Sequence, residues 1–396
     1  MPEINDQGLI FLQPDWKEAF DDGLKVWIRY KAGDKKAEDD KLEKDGNDVR
    51  SVGGMFEAEY NGASVLRVRH IVSGQKMVSV APVSSVSGLV TRGVTGVEVS
   101  TGGLGVVTSS EGSSVTVWET DTGKVRRQLE GHLGQVYTAR MFPSGVVVLS
   151  SGADMRLKIW SATTGECPVT LTGHTQAVTD TAIVGVGKNI ISVSKDGSVR
   201  LWSCGERRCV GVLTEGHDRL NCCDITDQSP YHPLDPADAD QDMMINSAEH
   251  ETQDKVLAVG GEDGTVLIIN VAARKIISSV NVGSPVNSVK WSRGHGLYIG
   301  TESGKVHTLT RDGLTLFSGG SSSPVLCLSY SDQCSSIIIS RQDGTVSCDA
   351  GGELVTLAGA DHDPVYSVSC DSDHLYTGCR DGLVRKYSIK TINNCR

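Results

Sequence analysis

Two sets of residues in this 396-residue chain have the makings of an acyl-transfer site. His132, Ser150 and Asp154 form the first, with Trp160 six residues past the aspartate; His174, Ser192, Asp196 and Trp202 form the second. A serine hydroxyl becomes a nucleophile when a histidine takes its proton and a carboxylate holds the imidazole in the right tautomer. The sets lie 42 residues apart, inside stretches that say nearly the same thing: GHLGQVYTARMFPSGVVVLSSGADMRLKIW (131–160) and GHTQAVTDTAIVGVGKNIISVSKDGSVRLW (173–202). An active site is needed once, so recurrence argues for a structural role. A repeat of about 40–45 residues that opens on Gly-His and closes on Trp is the mark of a four-stranded propeller blade.

No other stretch supplies enzyme chemistry. There is no Gly-rich phosphate loop ending in Lys-Ser/Thr, no His-Glu-x-x-His and no Gly-x-Ser-x-Gly elbow. STGGLGVVTSS (100–110) joins two apolar runs and opens no helix, and GGSSS (319–323) reads as a loop. The 11 cysteines include no Cys-x-x-Cys, and Cys327 and Cys370 sit where a strand wants a small apolar residue. Free thiols in a reducing compartment are expected. Zinc is the alternative for Cys204, Cys209, Cys222 and Cys223, whose spacing matches no usual finger. The expectation is no catalytic residue, no cofactor and no metal.

The elements that must carry these residues follow from the same period. Counting six residues past each Asp-Gly-like turn gives third-strand ends at Trp118, Trp160, Trp202, Ile269, Leu309, Asp349 and Tyr387. Only the interval before Ile269 is long, by an insertion at about 226–254. The predicted fold is an all-β, seven-bladed propeller over 76–396, with a small appended region at 1–75. Lys195-Asp196-Gly197, Glu262-Asp263-Gly264, Gln342-Asp343-Gly344 and Arg380-Asp381-Gly382 read as hairpins. Runs such as VVVL (146–149) do not alternate, as expected of strands covered on both faces. Only nine residues follow Tyr387, so the last blade needs a strand from elsewhere; KMVSVAPV (76–83) is the expected donor. In the appended region QPDWKEAF (13–20) predicts a short helix, LKVWIRY (24–30) a strand, and Asn61-Gly62 a hairpin turn. The charged stretch 31–50 reads as a solvated loop or disordered linker.

The formal charge is −11, and nine acidic residues with no Lys or Arg lie between Arg219 and Lys255. The remainder is close to neutral, which argues against nucleic acid as a partner. No apolar run has membrane-spanning length and the first residues, MPEINDQGLI, are mixed polar. A monomer of the cytoplasm, or of cytoplasm and nucleus, is expected. Binding is expected on the face carrying the loops before each turn aspartate: Ala153, Lys195, Glu262, Glu302, Gln342 and Arg380.

FPSGVVVLSSGADMRLKIWSA (142–162), DTAIVGVGKNIISVSKDGSVRLWSCG (180–205) and GADHDPVYSVSCDSDHLYTGCRDGLVRKY (359–387) are more specific than a generic repeat. With Asp15-Trp16, they resemble the proteasomal ATPase-associated factor 1 family of WD-repeat proteins. The likeness spans roughly 90–220 and 255–390, and the acidic insertion lies outside it. It implies that each His, Ser, Asp and Trp set is an internal hydrogen-bond chain, a tetrad that fixes the blade. The last blade would keep a weaker version in Asp361, Thr377, Asp381 and Tyr387, while Val259 and Ile339 stand where serine would. It further implies a non-catalytic assembly chaperone that binds the C-terminal region of a proteasome regulatory ATPase and restrains premature association with the core particle. The alternatives are a substrate receptor of a cullin-type ubiquitin ligase and a propeller enzyme. The first would carry Trp-Asp-x-Arg at blade ends, where this chain has Glu119, Ser161 and Ser203 after the tryptophans. The second would gather histidines and carboxylates around its channel.

Overall fold

In the computed structural model the chain is a ring of β-sheets with a smaller sheet on its rim. The structure describes residues 8–395 apart from 34, 47, 63, 228–247, 295, 319–321 and 351–352. Among the described residues, six four-stranded antiparallel units follow one another from Val94 to Leu357, the sixth as part of a seven-stranded sheet, and the three strands from Val365 to Ser388 are completed to a seventh unit by Ser84–Val86. Their inner strands begin at Val94, Val136, Val178, Leu220, Val286, Val325 and Val365, and successive ones are neighbours all the way round. The last meets the first, where the Val97 and Val99 amides donate to the Ser367 and Ser369 hydroxyls, each at 3.1 Å.

Face-to-face stacking explains the unbroken apolar runs. Each interface between blades has its own buried cluster, such as Leu157, Ile159, Ile190 and Trp202 between blades two and three. Val106, Val117, Met141 and Trp160 fill the preceding interface. A strand between two such interfaces has no solvent face, so its residues need not alternate. Asn189–Ser194 is buried at every position.

Closure departs from the expected donor. The strand Lys76–Val80 pairs in parallel with the outer strand of blade six, Glu353–Leu357, in the register Val355↔Val78. The fourth strand of blade seven is Ser84–Val86, paired with Val384–Ser388 through Lys386↔Ser84 and Val384↔Val86. Strand pairing follows which edge the chain can reach. Lys76–Val80 is held on its other side by Val65–His70, so it arrives at the ring as part of a three-stranded sheet and extends blade six.

The charged stretch 31–50 is also ordered, contrary to the expectation. Glu38–Asp45 and Asp48–Ser51 are the third and fourth strands of a sheet begun by Leu9–Leu12 and Val26–Lys31. Composition misleads because Leu42 is fully buried while its charged neighbours pair across strands, Arg29 with Asp39 and Lys25 with Glu43. Asp40 accepts from the Gly53 and Met55 amides at 2.7 and 3.2 Å, so its carboxylate ties the sheet to the following turn. The helix Trp16–Asp21 covers the sheet, and Trp16, Phe20 and Tyr60 meet edge to face at 5.9–6.2 Å. The Trp16 indole donates to Ser79 at 2.9 Å, fastening this helix to the strand that extends blade six.

Most of the acidic insertion lies outside the described residues. Its ends are not free acidic loop. Asp224 belongs to the inner strand Leu220–Thr226, Asp227 pairs with Lys255 at 3.2 Å, and Glu249 pairs with Arg274. Glu251 accepts from the Val186 amide at 2.7 Å, and Asn189 of blade three holds the Ala248 carbonyl at 2.9 Å.

Candidate functional site

The tetrads of blades two and three are built alike. His132 Nδ1 lies 2.9 Å from Asp154 Oδ2 and its Nε2 lies 2.7 Å from Ser150 Oγ, which the Trp160 indole reaches at 2.8 Å. In blade three the distances are 2.8 Å from His174 to Asp196, 2.7 Å to Ser192, and 2.8 Å from the Trp202 indole to Ser192. One proton order satisfies every member. Nδ1–H donates to the carboxylate, the serine hydroxyl donates to Nε2, and the indole N–H donates to the serine oxygen. These are the relative positions of a hydrolase triad, yet Ser150 and Ser192 are 0% exposed and the indole occupies the oxygen that would attack. No substrate can reach either hydroxyl.

Burial pushes both imidazoles below the ordinary histidine range, against the pull of Asp154 and Asp196. Burial alone would raise the Asp196 carboxyl, but the Ser198 hydroxyl, the Thr175 amide and His174 outweigh it and hold it down to about 2. A histidine kept neutral in the fold takes up its proton on unfolding once the pH drops below about 6.5. Stability should therefore fall as the pH is lowered from about 7 to about 5. The double variant His132→Ala, His174→Ala should start less stable and show a flatter dependence over that window. Urea midpoints at the two pH values measure both, and an unchanged slope in the double variant would count against neutral tetrads.

Blade one lacks the set. Opposite Trp118 stands Gly105, and two residues on, where blade two has Ser150, blade one has Val107. The buried Trp118 Nε1 accordingly has no acceptor among the described residues. In blade seven Asp361 is exposed, Asp381 pairs with Arg385 at 2.5 Å, and the Tyr387 hydroxyl donates to the Ala358 carbonyl at 2.6 Å.

The channel holds what pattern reading missed. A cavity of about 420 Å³ runs between the inner strands, and its wall carries Glu98, Arg140, Asp180, Asp224 and Lys290. Arg140 reaches Asp180 at 2.9 Å and Glu98 at 3.8 Å, and Lys290 reaches Asp224 at 2.9 Å. Burial raises the Glu98 carboxyl despite Arg140; it also opposes the Lys290 charge, but Asp224 outweighs it and lifts the ammonium above its ordinary value. Asp180 and Asp224 also accept the Cys223 and Trp291 amides of the next blade, at 2.9 and 2.8 Å. The carboxylates are thus committed to cations and to the seams between blades. Four of these charges fall at the fifth position of an inner strand, a regularity visible only once the strands are aligned.

The six loop positions are equivalent. The amides of Ala153, Lys195, Glu262, Glu302, Gln342 and Arg380 each donate to the carbonyl just before the inner strand of the same blade, at 2.8–3.0 Å. They therefore share one face of the ring. Their side chains differ in freedom. Asn221 holds Glu262 at 2.9 Å, Asn287 holds Glu302 at 2.6 Å, and Asp363 pairs with Arg380 at 2.7 Å. The Lys195 ammonium lies 5.6 Å from the centre of the Tyr137 ring, and Ala153 and Gln342 are exposed.

The cysteines considered for zinc do not converge. Cys204 and Cys209 pack at the interface of blades two and three, Cys223 at that of three and four, and Cys222 at that of four and five. Among the described residues all 11 cysteines are free thiols, and burial raises Cys204 to about 11 and Cys370 to about 12.

The family model described as WD domain, G-beta repeat matches residues 123–161, 165–203 and 351–388, and the Anaphase-promoting complex subunit 4 WD40 domain matches 213–294. The sheets and the repeats agree on a WD-repeat propeller. Proteins to which the chain is similar include Proteasomal ATPase-associated factor 1 of Homo sapiens, 41% identical over 323 residues and 79% of each chain. The Bos taurus protein of that name is 39% identical over 360 residues, 87% of this chain and 88% of its own. That of Gallus gallus is 41% identical over 324 residues, 78% of this chain and 79% of its own.

Proposed function

This chain belongs to the proteasomal ATPase-associated factor 1 family, and from that premise we propose that it is a non-catalytic scaffold for a proteasome regulatory ATPase. It binds the C-terminal region of one ATPase subunit, assists assembly of the regulatory particle base, and keeps that subunit from the core particle too early. The observation that carries the reading is the extent of the likeness, 87% of this chain against the Bos taurus relative, which takes in more than the repeats the family model matches. The architecture supports it. A ring whose second and third blades are each fixed by a fully satisfied tetrad is a rigid base, and its loop face offers Lys195, Glu262, Glu302, Gln342 and Arg380 to a protein partner. Escort behaviour needs affinity for the free ATPase and none once the competing interface has formed, which is differential binding to two states.

Separately expressed ATPase C-terminal domains, presented to the tagged full chain, should give retention of one of them, and added core particle should displace it. Retention of none would overturn the proposal. A scaffold in a different multiprotein assembly is the second reading, favoured by the match of 213–294 to the anaphase-promoting complex subunit. Purification from cell extract would decide for it if cullin adaptors came through in place of ATPase subunits.

A further inference from the structure

A third Ser-His-carboxylate set lies outside the repeats that the WD family model matches, and in this one the serine is at the surface. Val65–His70 and Lys76–Val80 are joined by a tight turn. The His70 amide closes it on the Gln75 carbonyl at 2.8 Å, and the Gly74 amide on the His70 carbonyl at 2.9 Å. Ser73 stands in that turn with its Oγ 2.9 Å from His70 Nδ1. On the far side of the imidazole, Nε2 lies 3.1 Å from the carboxylate of Glu38, the first residue of a strand in the neighbouring sheet.

The proton order follows from the backbone. The Ser73 amide also points at Nδ1, at 3.4 Å, so that nitrogen carries the lone pair and Nε2 carries the proton, donated to Glu38. The Ser73 hydroxyl then donates to Nδ1 and accepts from the Gln75 amide at 3.3 Å, which leaves one oxygen lone pair unused among the described residues. Tyr30 stacks on the imidazole at 4.0 Å and 18°, Phe56 lies at 5.1 Å, and His70 is 1% exposed. A fixed imidazole with its lone pair against a hydroxyl, and a carboxylate behind it, is the arrangement of an activated nucleophile. In the tetrads the hydroxyl is sealed beneath an indole. Here Ser73 is exposed, between Val72 at 84% exposure and the left-handed Gly74 at φ 73°.

We propose that Ser73 is an acyl-acceptor site, taking one acyl group from an ester with a short apolar chain. Ser73 Oγ attacks the carbonyl carbon as its proton passes to His70 Nδ1, and Glu38 holds the imidazolium that results. The bond from that carbon to the leaving oxygen then breaks and His70 returns the proton to it, so an alcohol departs and the acyl group stays on Ser73. Ile71 and Val72, both exposed, offer the chain apolar surface next to the oxygen. Glu38 is a positioning residue, since it acts through His70. The step modifies the chain once and is independent of the function proposed above.

The full chain incubated with p-nitrophenyl butyrate and then peptide-mapped tests it. Ser73 should be acylated about a hundredfold faster than Ser335, an exposed serine whose hydroxyl donates to the Asp332 carbonyl. Ser73→Ala should remove the adduct. Glu38→Gln keeps an acceptor beside Nε2 without the charge, and it should slow Ser73 about tenfold with an unchanged Tm. The acetate ester should react more slowly than the butyrate. If Ser73 of the folded wild-type chain reacts no faster than Ser335, its hydroxyl merely closes the turn and the proposal fails. Fast labelling that Glu38→Gln leaves untouched would also overturn it, because exposure at the hairpin tip would then account for the rate. Equal acetate and butyrate rates would strike the apolar chain from it.

Discussion

Deleting residues 1–90 is expected to yield aggregated protein without a cooperative melt. The segment removed contains Ser84–Val86, the outer strand of blade seven, and Val83, whose amide donates to the Lys386 carbonyl at 2.7 Å. The chain does not continue into another strand there, because after Ser388 it enters the short helix Ile389–Asn393. The strand Val384–Ser388 would then present an open row of backbone groups, a template for pairing with another chain. Val86 and Leu89 would also leave the cluster they form with Val94, Trp118 and Tyr376 at the junction of the first and last blades. The deletion uncovers a second edge as well, since Lys76–Val80 shields Glu353–Leu357 of blade six. A truncation of residues 1–81 separates the two effects by keeping the closing strand. It should recover part of the soluble yield, measured by fractionation and gel filtration. A soluble, monomeric and cooperatively melting 1–90 deletion would show that the ring does not depend on this closure.

Ser192→Ala should be the most damaging single-atom change in the ring. Its Oγ receives the Trp202 indole at 2.8 Å and donates toward His174 at 2.7 Å, so one deleted oxygen orphans two buried groups. Each orphan costs roughly 1–3 kcal/mol, giving an expected loss of about 2–6 kcal/mol in chemical denaturation. Ser150→Ala should cost a similar amount, and the two should add to within about 0.5 kcal/mol because they sit in separate blades with no shared partner. Blade one bounds the effect, since the Trp118 indole is already without an acceptor among the described residues and the ring still forms around it. A loss under about 0.5 kcal/mol for Ser192→Ala would mean that the chain of hydrogen bonds contributes little.

Much of the fold is legible in the residues alone. The helix at Trp16–Asp21, the strand at Val26–Lys31 and the hairpin joining Phe56–Tyr60 to Val65–His70 follow from local pattern and turn chemistry. The turn is simpler than its Asn-Gly pair implies. Gly62 has a left-handed backbone at φ 79°, while Asn61 contributes through its side chain, which accepts from the Ser64 and Val65 amides. Glu38–Asp45 escapes the same reasoning because charge density alone counts it as coil. Only its pairing with Val26–Lys31 shows that Leu42 has a core to enter.

By itself the sequence determined the repeat. A blade is a local object, so His174, Ser192, Asp196 and Trp202 find one another within a single hairpin-rich unit and their spacing is sufficient to specify the contact. The tertiary structure decided everything that joins distant parts of the chain. Ser84 meets Lys386, Val97 meets Ser367, and Arg140 meets both Glu98 and Asp180, pairings that no local period encodes because they depend on where the ring shuts. The shared loop face belongs to that second category. Ala153, Lys195, Glu262, Glu302, Gln342 and Arg380 read in the sequence as six separate turns, and only the fold shows that their amides all close on the start of an inner strand at one face of the ring.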